Sequence, residues 1–351
     1  MQKKIIALAI ASALAVPAMA FAEATVTGQV NMSYDSYNNG VEAGSQTDNQ
    51  LNSNNTRLIV KGAEDLGGGT SAIWQLDARV QADTGVNTST TANQLFAGNN
   101  YLGLKSDSMG SLMAGRMDAP YKVARRGLDV FYDVAGDNRA SNGAGIAGLL
   151  YEDLRLSNAL AYMSPDMSGF TIALATPFGA ESAVSGDTKG SAYSLAAMYN
   201  AGPIFAELGW QDIKYGTLGS GDLAENGTTI LVDDKNNAMN LGGGYKTDQF
   251  TVNAMVEQTK YTHAAAATED KRTNYYIGAL FNVTPNDGIR AAYTKVGSTS
   301  GATNDANQYA IGYARTMSKT TSAYVTYVKT TNNTTGAADP SDISIGVKHS
   351  F

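Results

Sequence analysis

The stretch from Thr25 to Tyr34 reads TVTGQVNMSY and places Val26, Gly28, Val30, Met32 and Tyr34 at every second position. Thr25, Thr27, Gln29, Asn31 and Ser33 take the positions between them. Successive side chains of a strand point to opposite faces, so this pattern is a strand with one apolar and one polar face. A wall between lipid and water needs that division over about ten residues.

The pattern recurs along the chain. Leu58, Val60 and Gly62 alternate with Arg57, Ile59 and Lys61, and Ala72, Trp74, Leu76 and Ala78 alternate with Ser71, Ile73, Gln75, Asp77 and Arg79. Later examples are Phe170, Ile172 and Leu174; Ile204, Ala206, Leu208 and Trp210; Phe250, Val252, Ala254 and Val256; and Tyr309, Ile311 and Tyr313. With the weaker segments the count reaches about sixteen, an even number as bacterial barrels require. The expected fold is all-β: a transmembrane antiparallel β-barrel of about sixteen strands.

The connections alternate in length. Short ones such as Leu66 to Gly69, Asp107 to Gly110 and Lys246 to Asp248 predict periplasmic turns. Long polar ones, including Ser36 to Asn54, Ala119 to Gly148, Ile213 to Lys235 and Thr262 to Lys271, predict extracellular loops. Tyr and Trp near strand ends suit interfacial girdles, although Tyr is also simply a good strand residue.

Composition narrows the function. There is no Cys among 351 residues, which excludes a disulfide framework and thiol chemistry. A formal charge of −7 does not suit binding to nucleic acid. His263 and His349 are the only histidines, one in a polar connection and one on the apolar face of the last strand, so neither a hydrolytic triad nor a histidine metal centre is expected. No cofactor or metal is expected, and Gly67-Gly68-Gly69 lacks the Lys-Ser or Lys-Thr of a phosphate loop and reads as a hairpin turn.

The N-terminus carries Lys3 and Lys4, an apolar run from Ile5 to Val16, and Ala20-Phe21-Ala22. This is the layout of an export signal, with cleavage expected after Ala22 and an alternative site after Ala20. Residues 1–22 are therefore expected to be removed, leaving 23–351 as one domain. No later stretch is long and apolar enough to be a spanning helix.

Several motifs, in order, resemble the general porin family of Gram-negative bacteria, especially its proteobacterial branch. They are Thr56-Arg57-Leu58-Ile59-Val60-Lys61-Gly62-Ala63-Glu64-Asp65-Leu66-Gly67, Gly110-Ser111-Leu112-Met113-Ala114-Gly115-Arg116, Tyr162-Met163-Ser164-Pro165 with Gly169-Phe170, and Gly346-Val347-Lys348-His349-Ser350-Phe351. The resemblance implies a homotrimer in outer-membrane lipid that passes small hydrophilic solutes and ions. It also implies that Phe351 is the C-terminal signal read by the barrel insertion machinery. By position Arg57 and Arg155 match the family's wall arginines and Lys61 its neighbouring lysine; alternation separately puts Arg57, Lys61 and Arg79 on the inner face. Residues 119–148 match the loop that folds into the barrel, with Asp129, Asp133 and Asp137 as its candidate acids. Here the chain departs from the family. A Pro-Glu-Phe-Gly stretch is missing, and Lys122, Arg125 and Arg126 add positive charge.

Simpler readings stand beside these. A charge between apolar residues also fits any solvated sheet face, and a loop acid also fits ordinary solvation. A barrel serving as an adhesin or envelope structural protein through its long loops is the alternative to a diffusion channel, and a solute-specific channel is a third reading.

Overall fold

The computed structural model describes residues 24–41, 46–85, 95–138, 154–178, 190–216, 233–265, 267–299, 304–334 and 337–351. The expected export signal and residues 139–148 of the expected inward loop lie outside them. In chain order the strands are β1 (Thr25–Asn38), β2 (Thr47–Ser53), β3 (Arg57–Gly67), β4 (Thr70–Arg79), β5 (Asn100–Ser106) and β6 (Gly110–Asp118). A short helix, α1 (Pro120–Arg126), precedes β7 (Arg155–Met163), β8 (Phe170–Pro177), β9 (Ser191–Ala201), β10 (Ile204–Lys214) and β11 (Lys235–Lys246). The remainder are β12 (Phe250–His263), β13 (Thr268–Asn282), β14 (Asp287–Val296), β15 (Ala306–Thr316), β16 (Thr321–Asn332) and β17 (Ser341–Ser350).

Each strand pairs antiparallel with its neighbours, and β17 returns to β1, so the sheet closes. Both β2 and β3 pair with β1, from Met32 to Asn38 and from Thr25 to Gln29. They are two halves of one wall strand divided at Asn54 to Thr56, so seventeen strands make a sixteen-stave barrel.

Polarity is inverted relative to a water-soluble sheet. Val30 and Tyr34 are 42% and 48% exposed on the outside, whereas Gln29 and Asn31 are 4% and 0% exposed on the inside. The strand opening on TVTGQVNMSY thus turns its apolar face outward, as lipid requires. Aromatic pairs lie near both ends of the wall: Phe170 with Tyr199 (4.6 Å) and Tyr245 with Phe250 (5.9 Å) by the short turns, Tyr293 with Tyr309 (5.2 Å) towards the longer connections. Among the described residues no helix is long and apolar enough to cross a membrane.

The short connections fall where the sequence put them. Gly67, Gly68 and Gly69 have φ of 83°, 62° and 71°, the left-handed region that glycine enters without steric penalty, and they turn β3 into β4. Two of the expected long loops are shorter. β1 continues to Asn38 and β2 resumes at Thr47, while β12 runs to His263 and β13 begins at Thr268. Backbone pairing persists beyond the lipid, where both faces meet water and alternation no longer reports the strand.

The seam is fastened by the last residue. Gly28 N–H donates to the Phe351 carbonyl at 2.9 Å, Phe351 N–H returns to the Gly28 carbonyl at 3.1 Å, and Thr27 Oγ1 donates to the same Phe351 oxygen at 2.7 Å. Position 28 tolerates no side chain, because a Cβ there would lie 2.2 Å from the Arg57 carbonyl and 3.0 Å from the Phe351 ring. Deleting Phe351 removes three hydrogen bonds and is expected to lower barrel stability by about 3 kcal/mol, at about 1 kcal/mol for each. Phe351→Ala, which keeps the backbone bonds, should lose less. The temperature at which the folded band disappears in heat-modifiable gel electrophoresis measures both, and equal midpoints for the deletion and the wild type would refute the latch.

Candidate functional site: an eyelet inside the barrel

The segment from Ala119 to Asn138 leaves the wall at the end of β6 and folds into the lumen. It begins with α1, where Pro120 fits the first helical turn and Arg125 and Arg126 lie favourably at the C-terminal end of the helix dipole. The sequence reading did not anticipate this helix. Tyr121 N–H donates to Ser194 Oγ at 2.9 Å, Tyr121 Oη donates to Glu257 Oε1 at 2.8 Å, and Arg125 lies 3.6 Å from that oxygen. Beyond the helix, Leu128 packs with Met255 and Tyr276, and Phe131 packs with Ala310, Tyr324 and Val328. Burial of each of these two side chains contributes about 2 kcal/mol to docking.

Polar contacts fix the register of the segment. Arg290 donates to the Val130 carbonyl at 3.1 Å with its guanidinium 4.8 Å from the Phe131 ring, and Gln308 Nε2 donates to the Gly136 carbonyl at 3.1 Å. At the far end Asp133, buried with a φ of 63°, meets the first staves. Its carboxylate accepts from Gln29 Nε2 at 3.2 Å and Asn55 Nδ2 at 2.6 Å, its carbonyl accepts from Asn31 Nδ2 at 2.7 Å, and Arg57 lies 3.9 Å away.

From Asp133 a chain of contacts runs back along the opposite wall to the root of the segment. Asn55 Oδ1 accepts from Arg79, and Arg79 pairs with Asp77 at 2.9 Å. Asp77 accepts from Asn99 N–H at 3.3 Å, and Asn99 Nδ2 donates to Asp118 at 2.9 Å. Asp118, at the foot of the segment, binds Arg155 at 2.9 Å, Lys122 at 3.3 Å and Arg126. Inward segment and wall chain together enclose an eyelet.

The expected site residues divide accordingly. Arg57 and Arg79 are ladder partners, and both Arg57 and Arg155 lie near enough to Arg79 for their charges to repel it. Lys61, on the same face as Arg57 and opposite Gln75, stands exposed nearer the short turns. Of the acids, Asp133 faces Arg57. Asp129 and Asp137 shape the segment: Asp129 accepts from Phe131 N–H at 2.8 Å and Asn138 N–H at 2.9 Å, and also from Tyr276 Oη of the wall at 3.4 Å, and Asp137 accepts from Asp133 N–H at 2.9 Å. Burial, and then the neighbouring Asp137, push the Asp129 carboxyl up to about 8.

Sequence reasoning missed Arg290, Lys348 and Asn55. Lys348 is the ladder partner of Asn31 and lies within electrostatic reach of Asp133 and Arg57. Arg290 and Lys348 both carried a signal, since each occupies a polar position between outward residues, Ile289 with Ala291 and Val347 with His349. Asn55 carried none. The histidines stay apart from the eyelet: His263 Nε2 is 3.2 Å from Asp270, and His349 Nδ1 is 2.9 Å from Thr321 Oγ1.

Asp133→Ala strands the Gln29, Asn55 and Arg57 donors and is expected to weaken docking of the segment by about 3 kcal/mol. Single-channel conductance should rise and become noisier; unchanged conductance would show that Asp133 does not hold the segment. A pH dependence is also expected. Undocked, Asp129 has an ordinary carboxylate pKa, whereas docked it stays protonated up to about 8. Its contribution to docking is therefore complete below the ordinary carboxylate range and lost as pH rises through about 8. Wild-type conductance should climb across that interval, and Asp137→Asn should move the transition to lower pH; a flat wild-type profile would contradict this.

Known proteins share this fold. The sequence profile of the Gram-negative porin family matches residues 7–335. The major outer membrane protein P.IB of Neisseria gonorrhoeae is 24% identical over 343 residues, spanning 93% of this chain and 92% of that protein. Among solved structures, an anion-selective porin from Comamonas acidovorans superposes with a TM-score of 0.77 at 20% identity, over 94% of this chain and 100% of its own. The trimer form of OmpT from Vibrio cholerae does so at 0.69 and 13%, over 94% and 99%. With a family match over most of its length and a closed sixteen-stave barrel narrowed from within, the chain belongs to the Gram-negative porin family, a passive channel of the outer membrane.

Proposed function

We propose that this channel admits small hydrophilic solutes and ions through an eyelet that favours anions. The observation that carries the reading is the state of its charges. Arg57, Arg79 and Arg155 gather on one wall, and Arg126 extends the positive charge onto the inward segment. The acids beside them are withdrawn: Asp133, Asp137, Asp77 and Asp118 are all buried. Charges that line a narrow passage act on a permeating ion at close range, whereas the net charge of −7 is dominated by residues far from the eyelet. Anion selectivity in the Comamonas acidovorans porin, which has the same fold, agrees with this reading.

Three further roles go with it. Residues 1–22 serve as the cleaved export signal of a single mature domain, Phe351 is read by the barrel insertion machinery, and the apolar outer wall supports a homotrimer, as in the trimer form of Vibrio cholerae OmpT.

Replacing Arg57 and Arg155 with neutral residues is expected to lower the anion-to-cation permeability ratio about fivefold, which corresponds to about 1 kcal/mol for charges acting across several ångströms of water. The reversal potential of the purified protein in a planar bilayer under a KCl gradient reads this directly. An unchanged potential would contradict the proposal, and a wild-type potential of cation-selective sign would overturn it.

A further inference from the structure

A second group of charged side chains lies on the inner face of the seam, away from the eyelet, and the channel reading does not use it. Asp35 on β1 pairs with Ser344 on β17, and Tyr37 pairs with Asp342, so Asp35, Ser344 and Asp342 occupy adjacent positions of one face. They lie on the far side of Gln29 and Asn31 from Phe351, towards the longer connections. Asp342 is 1% exposed, Asp35 3% and Ser344 0%.

Their oxygens are poorly satisfied. Among the described residues, neither carboxylate oxygen of Asp342 has a hydrogen-bond partner, nor has Asp35 Oδ1 or Ser344 Oγ. Asp35 Oδ2 accepts from Asn52 Nδ2 at 2.5 Å. No lysine or arginine of the described residues pairs with either acid, and Lys329 on the adjacent strand donates instead to the Asp339 carbonyl at 2.6 Å. The two carboxylates act on each other as like charges. Two buried carboxylates with neither counter-charge nor a full set of donors are strongly unfavourable unless something positive lies between them.

We propose that Asp35 and Asp342 bind a divalent cation of the calcium or magnesium class, with Ser344 Oγ as a neutral oxygen ligand. A doubly charged ion matches the two carboxylates, and an all-oxygen set without nitrogen or sulfur selects hard cations over zinc or copper. The described residues contain no cluster of three acidic, histidine or cysteine ligands, so water completes the coordination and the affinity is modest, about 10⁻⁴ to 10⁻³ M. The ion bridges the first and last strands. Phe351 fastens one end of the seam, and the cation fastens it further along.

The test uses the full-length folded barrel in detergent, with calcium chloride as the probe and EDTA as the reference. Calcium at millimolar concentration should raise the unfolding temperature of the wild type, with calorimetric binding in the same range. Asp342→Asn should weaken that binding at least about tenfold and abolish the thermal response. It should also match or exceed the wild type in EDTA, because a buried like charge is gone. Asp166→Asn, in a short turn, should respond as the wild type does. If Asp342→Asn does not fold, Asp35→Asn and Ser344→Ala provide the same comparison. A wild type indifferent to calcium, with Asp342→Asn more stable, would mean that the pair shares a proton, and it would overturn the proposal. Equal calcium responses in wild type and variant would overturn it as well.

Discussion

The wall exists because every backbone N–H and C=O facing hydrocarbon must be paired within the chain. An open sheet would leave two unpaired edges in lipid, so the first and last strands have to meet. They meet over ten residue pairs, from Gln29 with Ser350 to Asn38 with Ser341, and Phe351 extends the pairing to Gly28. Closure dictates the distribution of polarity. Lipid takes the apolar half of each strand, and Gln29, Asn31, Glu257 and Gln308 are left facing inward, so much of the inner wall is polar.

The inward segment answers to that interior. To lie against a polar wall it must satisfy the wall's donors and acceptors while burying some apolar surface. It does the first through Asp133, Tyr121 and its carbonyls at Val130 and Gly136, and the second through Leu128 and Phe131. Asp129 and Asp137 are spent on shaping the segment, which leaves Asp133 as the acid of the three that reaches the first staves. In the anion-favouring reading the eyelet's charge balance is a by-product of docking: the acids are consumed as acceptors, while Arg57, Arg126 and Arg155 keep part of their surface beside the passage.

The barrel was legible in the sequence because lipid on one side and water on the other write a period of two into every stave. Val26 to Tyr34 and Ile343 to Val347 follow it without exception. Legibility ended where that contrast ended. The strand ends at Asn38, Thr47, His263 and Thr268 carry no alternation, although they pair in the same ladder. Inside the barrel, Arg57 and Arg79 were identifiable as inward cations, but their partners depend on how the segment after Ala119 lies across the lumen. No local pattern encodes that path. Arg290 and Lys348 show the intermediate case, with a face readable from their neighbours and a role readable only from Phe131 and Asp133.

Asn54 to Thr56 shows how the wall and the eyelet depend on each other. A stave that divides into two strands gives up ladder bonds in the setting least tolerant of losing them. The loss is repaired locally, since Asn31 N–H donates to Thr56 Oγ1 at 3.1 Å and Asn54 N–H donates to the Asn31 carbonyl at 2.8 Å. The division lets Asn55 adopt a φ of 58°, which asparagine tolerates better than most residues. From there its amide donates to Asp133 while its carbonyl accepts from Arg79. A regular strand would keep the ladder intact but would not hold residue 55 in this left-handed conformation, from which one amide bridges Asp133 and Arg79. The irregular backbone of one stave therefore sets the closing contact of the eyelet, and charge composition alone could not have specified it.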